Sequence, residues 1–186
     1  MNDSLVLRTE RLELRPVEPA HAAALFRLMR DERLTRFLAW APHEDIAQTQ
    51  AMIDALVRAQ AQGAGYHWTI FEDQAVRGLV SLIDVRRTHR LWTLDRAEIA
   101  YWIDVNEHGR GLATEATRAV VEVAFTRLGL NRLIISHTSS NPASGRIPVA
   151  LGFRFVGTEH EFFSKAGEWF DMNHYELLAQ DWRARR

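Results

Sequence analysis

From Tyr101 to Ala116 the chain reads Tyr-Trp-Ile-Asp-Val-Asn-Glu-His-Gly-Arg-Gly-Leu-Ala-Thr-Glu-Ala. An apolar strand-like run leads into two glycines one residue apart and then into a helix pattern. The first N–H groups of a helix have no partner within it and sit at the positive end of its dipole, so such a turn can hold an anion. Gly109 and Gly111 let main chain come close to a phosphate. Arg110 adds positive charge at the mouth, and Leu112, Ala113 and Thr114 carry the next amides. The chemistry on offer is diphosphate binding. A P-loop is excluded, because Leu112-Ala113 stand where it needs Lys-Ser/Thr. A dinucleotide fingerprint needs a third small residue where Thr114 stands, and a strand–helix–strand unit that is missing. A glycine turn that binds nothing stays open as the plain alternative.

Other chemistries fall away by composition. There is no cysteine, hence no disulfide scaffold, thiol nucleophile or thiolate metal site. The eight histidines are scattered, and no two have metal-ligand spacing on one element, so no metal is expected. His137, at the end of an apolar strand, suits a packed core better than a site. The 23 basic and 24 acidic residues leave a net charge of −1, which argues against a nucleic-acid binder.

These residues need elements to hold them. Leu5 to Val17 alternates apolar and polar, as a strand pair or a broken strand. His21–Arg30 and Glu44–Gln60 have helical stripes, the second through Ile46, Thr49, Ile53, Leu56 and Val57, with Gly63 and Gly65 to stop it. Tyr66–Glu72 and Val76–Val85 read as strands joined by a hairpin at Asp73-Gln74-Ala75. Arg86–Arg90 reads as an exposed basic turn, and Leu94–Ile103 as the next strand. A helix over Leu112–Leu128 follows, then a short buried strand at Leu133–Ile135 and a short helix over Asn141–Leu151. In that helix Asn141 is placed to cap and Pro142 to start, while Pro148 removes a donor and predicts a distortion near Ser144. Phe153–His160 and Trp169–Leu178 close the chain as strands. The order implies an α+β fold, one domain over residues 1–186 around a single sheet. The start lacks a basic segment followed by a long apolar one, and no run approaches the ~18 apolar residues of a membrane span. A cytoplasmic protein with no membrane partner is the expectation.

The sequence resembles the GCN5-related N-acetyltransferase (GNAT) family. His108-Gly109-Arg110-Gly111-Leu112-Ala113 matches its Gln/Arg-x-x-Gly-x-Gly/Ala turn, with His108 departing at the first position. Further stretches are similar to its RimJ/RimL-like branch. They are Leu7–Arg15, Arg36–Pro42, Ala97–Ile103, Asn141–Ser144 with Leu151-Gly152-Phe153, and Gly167–Asp171 with Tyr175 and Trp182. The resemblance implies a mostly antiparallel mixed sheet flanked by helices, with two splayed strands that receive acetyl-CoA.

It also implies roles. The main chain from Gly109 to Thr114 would cradle the pyrophosphate. Trp102 and Ile103 would hold the pantetheine arm and polarise the thioester carbonyl. Glu98 lies mid-strand among apolar residues, where burial raises a carboxylate pKa, and is the expected general base, through a water. Its plainer role is as partner to an arginine or to the incoming ammonium. Ser144, with Asn141 beside it, would donate a proton or hydrogen bond to the leaving thiolate of CoA, or be helix-start grammar only.

The acceptor is an amine. With reference pKa values near about 8 for an α-amine and about 10.4 for lysine, far more α-amine is neutral at pH 7. A weak base therefore suits a protein N-terminus, including a ribosomal one. Small amines (aminoglycoside, polyamine, amino acid) are the alternative acceptors, and a non-catalytic CoA sensor is the alternative of another class. The first two helices, the Trp40 segment and a loop over 162–167 would line the acceptor cleft. Glu44, Asp45, Glu159 and Glu161 there would attract a basic peptide or polyamine, or be a solvated rim only. The exposed strands and the tryptophans near the end are compatible with a homodimer.

Overall fold

The computed structural model describes residues 5–185. Residues 1–4, part of the segment read as lacking a leader pattern, and residue 186 lie outside them. The alternation after Leu5 resolves into two short antiparallel strands, β1 (Leu7–Arg8) and β2 (Glu13–Pro16). A 3-10 turn at Pro19–His21 leads into helix α1 (Ala22–Met29); a short α2 (Glu32–Thr35), which the periodicity did not reveal, follows, and then the Arg36–Pro42 link between helices. Helix α3 (Ile46–Ala61) opens on an Asp45 cap and ends at Gly63, whose φ of +69° suits glycine. Its buried face is narrower than the sequence stripe: Thr49 and Ile53 are inside, but Ile46 and Val57 are exposed.

The centre of the chain builds the sheet. Strands β3 (Tyr66–Glu72) and β4 (Ala75–His89) form a hairpin whose turn residues, Asp73 and Gln74, both have positive φ, as a tight two-residue turn requires. Strand β4 continues through Arg86–His89, so the expected basic turn is strand instead. The reversal falls at Arg90-Leu91, and β5 runs over Trp92–Ile103. Cross-strand pairing outweighs the polar, exposed character of that stretch. Helix α4 (Leu112–Thr126), β6 (Arg132–Thr138) and α5 (Pro142–Ala150) come next. Strands β7 (Arg154–Lys165) and β8 (Glu168–Leu178) form a long hairpin turning at Ala166-Gly167, so residues 162–165 are strand rather than loop. Helix α6 (Ala179–Arg183) follows the last strand.

Among the described residues the eight strands make one sheet in the order β1-β2-β3-β4-β5-β6-β8-β7. Every neighbouring pair is antiparallel except β5 with β6. Helices α1 and α3 cover one face, with Leu25, Met29, Ile53 and Leu79 as their core. Helix α4 covers the other with Ala116, Val120 and Ala124 against Val80, Leu82 and Ile99. Burying these apolar stripes on both faces is what fixes the sheet as the middle layer.

Candidate active site

The parallel pair is short. Strands β5 and β6 register over Arg96–Arg132, Ala97–Leu133 and Glu98–Ile134, and no further. Beyond that point β5 stays with β4 as far as Ile103, while β6 stays with β8 as far as Thr138. The two strands part into a V with Glu98 at its apex. The β4–β5 register has no shift between Glu98 and Ile103, so side chains alternate strictly there. Glu98, Ala100 and Trp102 face the α1–α3 side, and Ile99, Tyr101 and Ile103 face the α4 side.

Glu98 is half-buried, and its carboxylate makes no hydrogen bond or ion pair with another described residue. The partner arginine of the plain reading is therefore not there. Ala100 next to it is exposed, leaving open floor beside the carboxylate. Trp102 packs edge-on against Trp40, ring centres 6.2 Å apart, and Trp40 in turn lies against His43.

Main-chain direction separates Trp102 from Ile103. The Trp102 carbonyl points at β4, so close to Gly78 that a Cβ there would lie 2.1 Å from it. Alternation then turns the main-chain groups of Tyr101 and Ile103 toward the V. The Ile103 carbonyl is held by the His108 ring, Nε2 at 3.0 Å. His108 thus ties the glycine turn back to the end of β5, a role its departure from the family pattern did not suggest.

The turn itself has the form a diphosphate would need. Gly109 and Gly111 have φ of +81° and +78°, and a Cβ on Gly109 would meet nothing within 4 Å. Gly111 is the N-cap of α4 and supplies no side-chain cap, so the amides of Leu112, Ala113 and Thr114 begin the helix uncapped by a side chain. Arg110 does not project into this space. It donates to Glu72 at 2.7 and 2.9 Å and also pairs with Glu107, while Arg77 binds the same two carboxylates. The Arg110 bond holds Glu72 below the usual carboxylate range. A second cation, Arg11, to which the sequence reading gave no role, comes up to the turn: it donates to the Arg110 carbonyl at 3.0 Å and lies 3.7 Å from where a Gly111 Cβ would be. Glu115 anchors it, accepting from Arg11 Nε at 2.7 Å and from Thr9 at 2.6 Å.

Ser144 stands on the α4 side, in the first turn of α5. Asn141 caps that helix, its side chain accepting from the Ser144 amide at 3.3 Å. The helix runs unbroken through Ile147 and Pro148 to Ala150, which corrects the expected distortion. The carbonyl that Pro148 leaves without a donor is satisfied from outside, by the Tyr101 hydroxyl at 3.1 Å. His137 is buried and stacked on Tyr175, its ring against Gly145.

Across the V, the open side of β6 carries residues that the sequence offered no periodicity to find. Ser136 Oγ lies 3.0 Å from His174 Nδ1, and His174 Nε2 lies 3.5 Å from Glu159, one of the expected rim acids. The lip of the cleft is pinned by Lys165. Its ammonium donates to the carbonyls of Thr35, Leu38 and Trp40 at 2.6, 2.8 and 3.0 Å, and desolvation lowers its pKa. Glu44, Asp45 and Glu161 are exposed. Two surface clefts of about 400 Å³, beside the β1–β2 loop and beside α1, include neither Glu98 nor Ser144. Among the described residues no cluster of three or more His, Asp or Glu could hold a metal, and no helix is long and apolar enough to cross a membrane.

Comparison with known proteins gives the family and the fold. Residues 11–154 match a family model described as an acetyltransferase (GNAT) domain. The chain is 29% identical to the putative ribosomal N-acetyltransferase YdaF of Bacillus subtilis, over 95% of its own length and 96% of that protein's. It is 28% identical to spermidine N(1)-acetyltransferase of Escherichia coli K12, over 82% and 78%. Among solved structures, the ribosomal L7/L12 alpha-N-protein acetyltransferase RimL in complex with coenzyme A superposes with a TM-score of 0.87, at 21% identity, over 95% and 98% of the two chains.

Proposed function

The chain belongs to the GNAT acetyltransferase family, in its RimJ/RimL-like branch, and from that premise we propose that it moves acetyl from acetyl-CoA to the N-terminal α-amine of a protein, a ribosomal protein among the candidates. One observation carries the reading: β5 and β6 separate directly beyond Glu98, with an open glycine turn at the far end of β5 and Ser144 on the wall. Acetyl-CoA supplies the thioester and its binding groups. The amides from Gly109 to Thr114 hold the pyrophosphate, with Arg11 as the nearby cation. The β5 edge at Tyr101 and Ile103 takes the pantetheine arm as an added strand would be taken.

Glu98 meets the acceptor from the α1–α3 side. It receives the ammonium proton through a water, leaving a neutral amine. As the N–C bond forms and the C–S bond breaks, the sulfur departs with the electron pair, the nitrogen gives up its second proton to solvent water so that a neutral amide remains, and the Ser144 hydroxyl donates a hydrogen bond to the sulfur from the α4 side. A base without a cationic partner suits an amine whose pKa is near about 8.

A second reading has a specific support. The spermidine-acetylating relative and the exposed acids Glu44, Asp45 and Glu161 fit a polycationic acceptor. Incubation with acetyl-CoA and a panel containing a peptide with free N-terminal serine, its Nα-blocked lysine counterpart, spermidine and an aminoglycoside, read by mass spectrometry, separates them. Acetylation at the peptide α-amine alone is expected. Acetylation of spermidine alone would replace the first reading with the second. Binding of acetyl-CoA with no product on any amine would make the protein a sensor.

A further inference from the structure

Tyr101 and Pro148 act together on Ser144. Pro148 is four residues beyond Ser144 inside α5 and has no N–H to give to the Ser144 carbonyl. A phenol from the facing strand fills the position: Tyr101 Oη lies 3.1 Å from that carbonyl and 3.2 Å from Ser144 Oγ. A phenol has one proton and can accept through its oxygen. With its proton on the carbonyl, Tyr101 accepts from Ser144 Oγ–H. With its proton turned to Oγ, it frees the Ser144 hydrogen for another acceptor. In neither arrangement does a helix N–H share the carbonyl, so the phenol is its donor from outside the helix.

We propose that Tyr101 is a positioning residue for the thiolate-binding step: lodged at the carbonyl that Pro148 exposes, it holds the Ser144 hydroxyl at the V and turns its own proton onto Oγ as charge develops on sulfur. This rests on Ser144 being the donor to sulfur. No O–H bond breaks at either residue. Two hydrogen bonds reorient, and the sulfur keeps the electron pair of the broken C–S bond. Burial pushes the Tyr101 hydroxyl up to about 12, so it remains a phenol at every working pH.

The test needs no acceptor. Coenzyme A is bound to the protein and its thiol titrated by thiolate absorbance, in wild type, S144A, Y101F and the double variant. A hydroxyl donor stabilises the thiolate, so S144A and Y101F should each raise the bound thiol pKa by about one unit. Y101F should add nothing in the S144A background. If S144A shifts the thiol and Y101F does not, or if the two shifts add, the role of Tyr101 is overturned while Ser144 stands. If S144A leaves the thiol unmoved, or coenzyme A does not bind, the underlying reading fails and this one with it. Melting temperatures give an independent check. Y101F should lower the melting temperature in the wild-type background and not in P148A, where a helix N–H can take the carbonyl. Equal losses in both backgrounds would refute the link to Pro148. P148A with P148A/Y101F also serves for the thiol titration should Y101F alone fail to fold.

Discussion

Glu98 and Tyr101 stand three residues apart on β5 and project from opposite faces of the sheet. A thioester lying in the V would thus meet a carboxylate from one side and a hydroxyl pair from the other. Glu98→Gln keeps the shape and removes the proposed base. Turnover on the acceptor should fall about 100-fold, while the thermal shift caused by coenzyme A stays at its wild-type value. An unchanged turnover would show that Glu98 takes no proton.

The glycine turn predicts a binding defect of the opposite kind. Gly111 has φ of +78° and caps α4 with no side chain. Gly111→Asp introduces strain and a negative charge where diphosphate would sit. Its stabilisation by coenzyme A, measured against its own unliganded melting temperature, should vanish. A retained shift would place the cofactor elsewhere.

Lys165 ties the β7–β8 hairpin to three carbonyls of the 35–40 segment. Lys165→Met leaves those carbonyls without their donor, a loss of about 1–3 kcal/mol. Amide hydrogen exchange over residues 36–41 should quicken, and the acceptor KM should rise with no change in coenzyme A binding. Exchange rates like those of wild type would mean the segment is held by Trp40–Trp102 packing instead.

Acid sensitivity should trace partly to His67. Burial beside Ser81 depresses its pKa from 6.5 to about 4. The folded state therefore resists the proton that the unfolded state accepts below pH 6.5. Stability should decline as pH falls from about 6.5 to about 4, by up to about 3 kcal/mol from this residue, and no further below that. His67→Asn should flatten that part of the stability curve. A slope equal to wild type would assign the loss to carboxylates.

The glycine turn, most of the succession of strands and helices along the chain, and helices α4 and α5 were legible because each has a local signal: glycines before a helix pattern, alternation, a cap with proline behind it. What escaped was non-local. Arg86–His89 looks like a turn by composition, and only its pairing with β5 makes it strand. Arg110 looks like the phosphate cation until Glu72, 38 residues earlier, claims it. Pro148 looks like a helix break until a phenol from β5 supplies the missing bond. The position of Glu98 at the strand fork depends on where β6 stops pairing, and no residue type marks that.

The lysine at the hairpin has a last consequence. It is the sole lysine of the chain, and its nitrogen spends all three hydrogens on carbonyls of the same molecule. An ammonium so engaged has its hydrogens turned onto main-chain oxygens of its own molecule. The only side-chain amine of the chain thus serves as a fastener of the hairpin to the 35–40 segment.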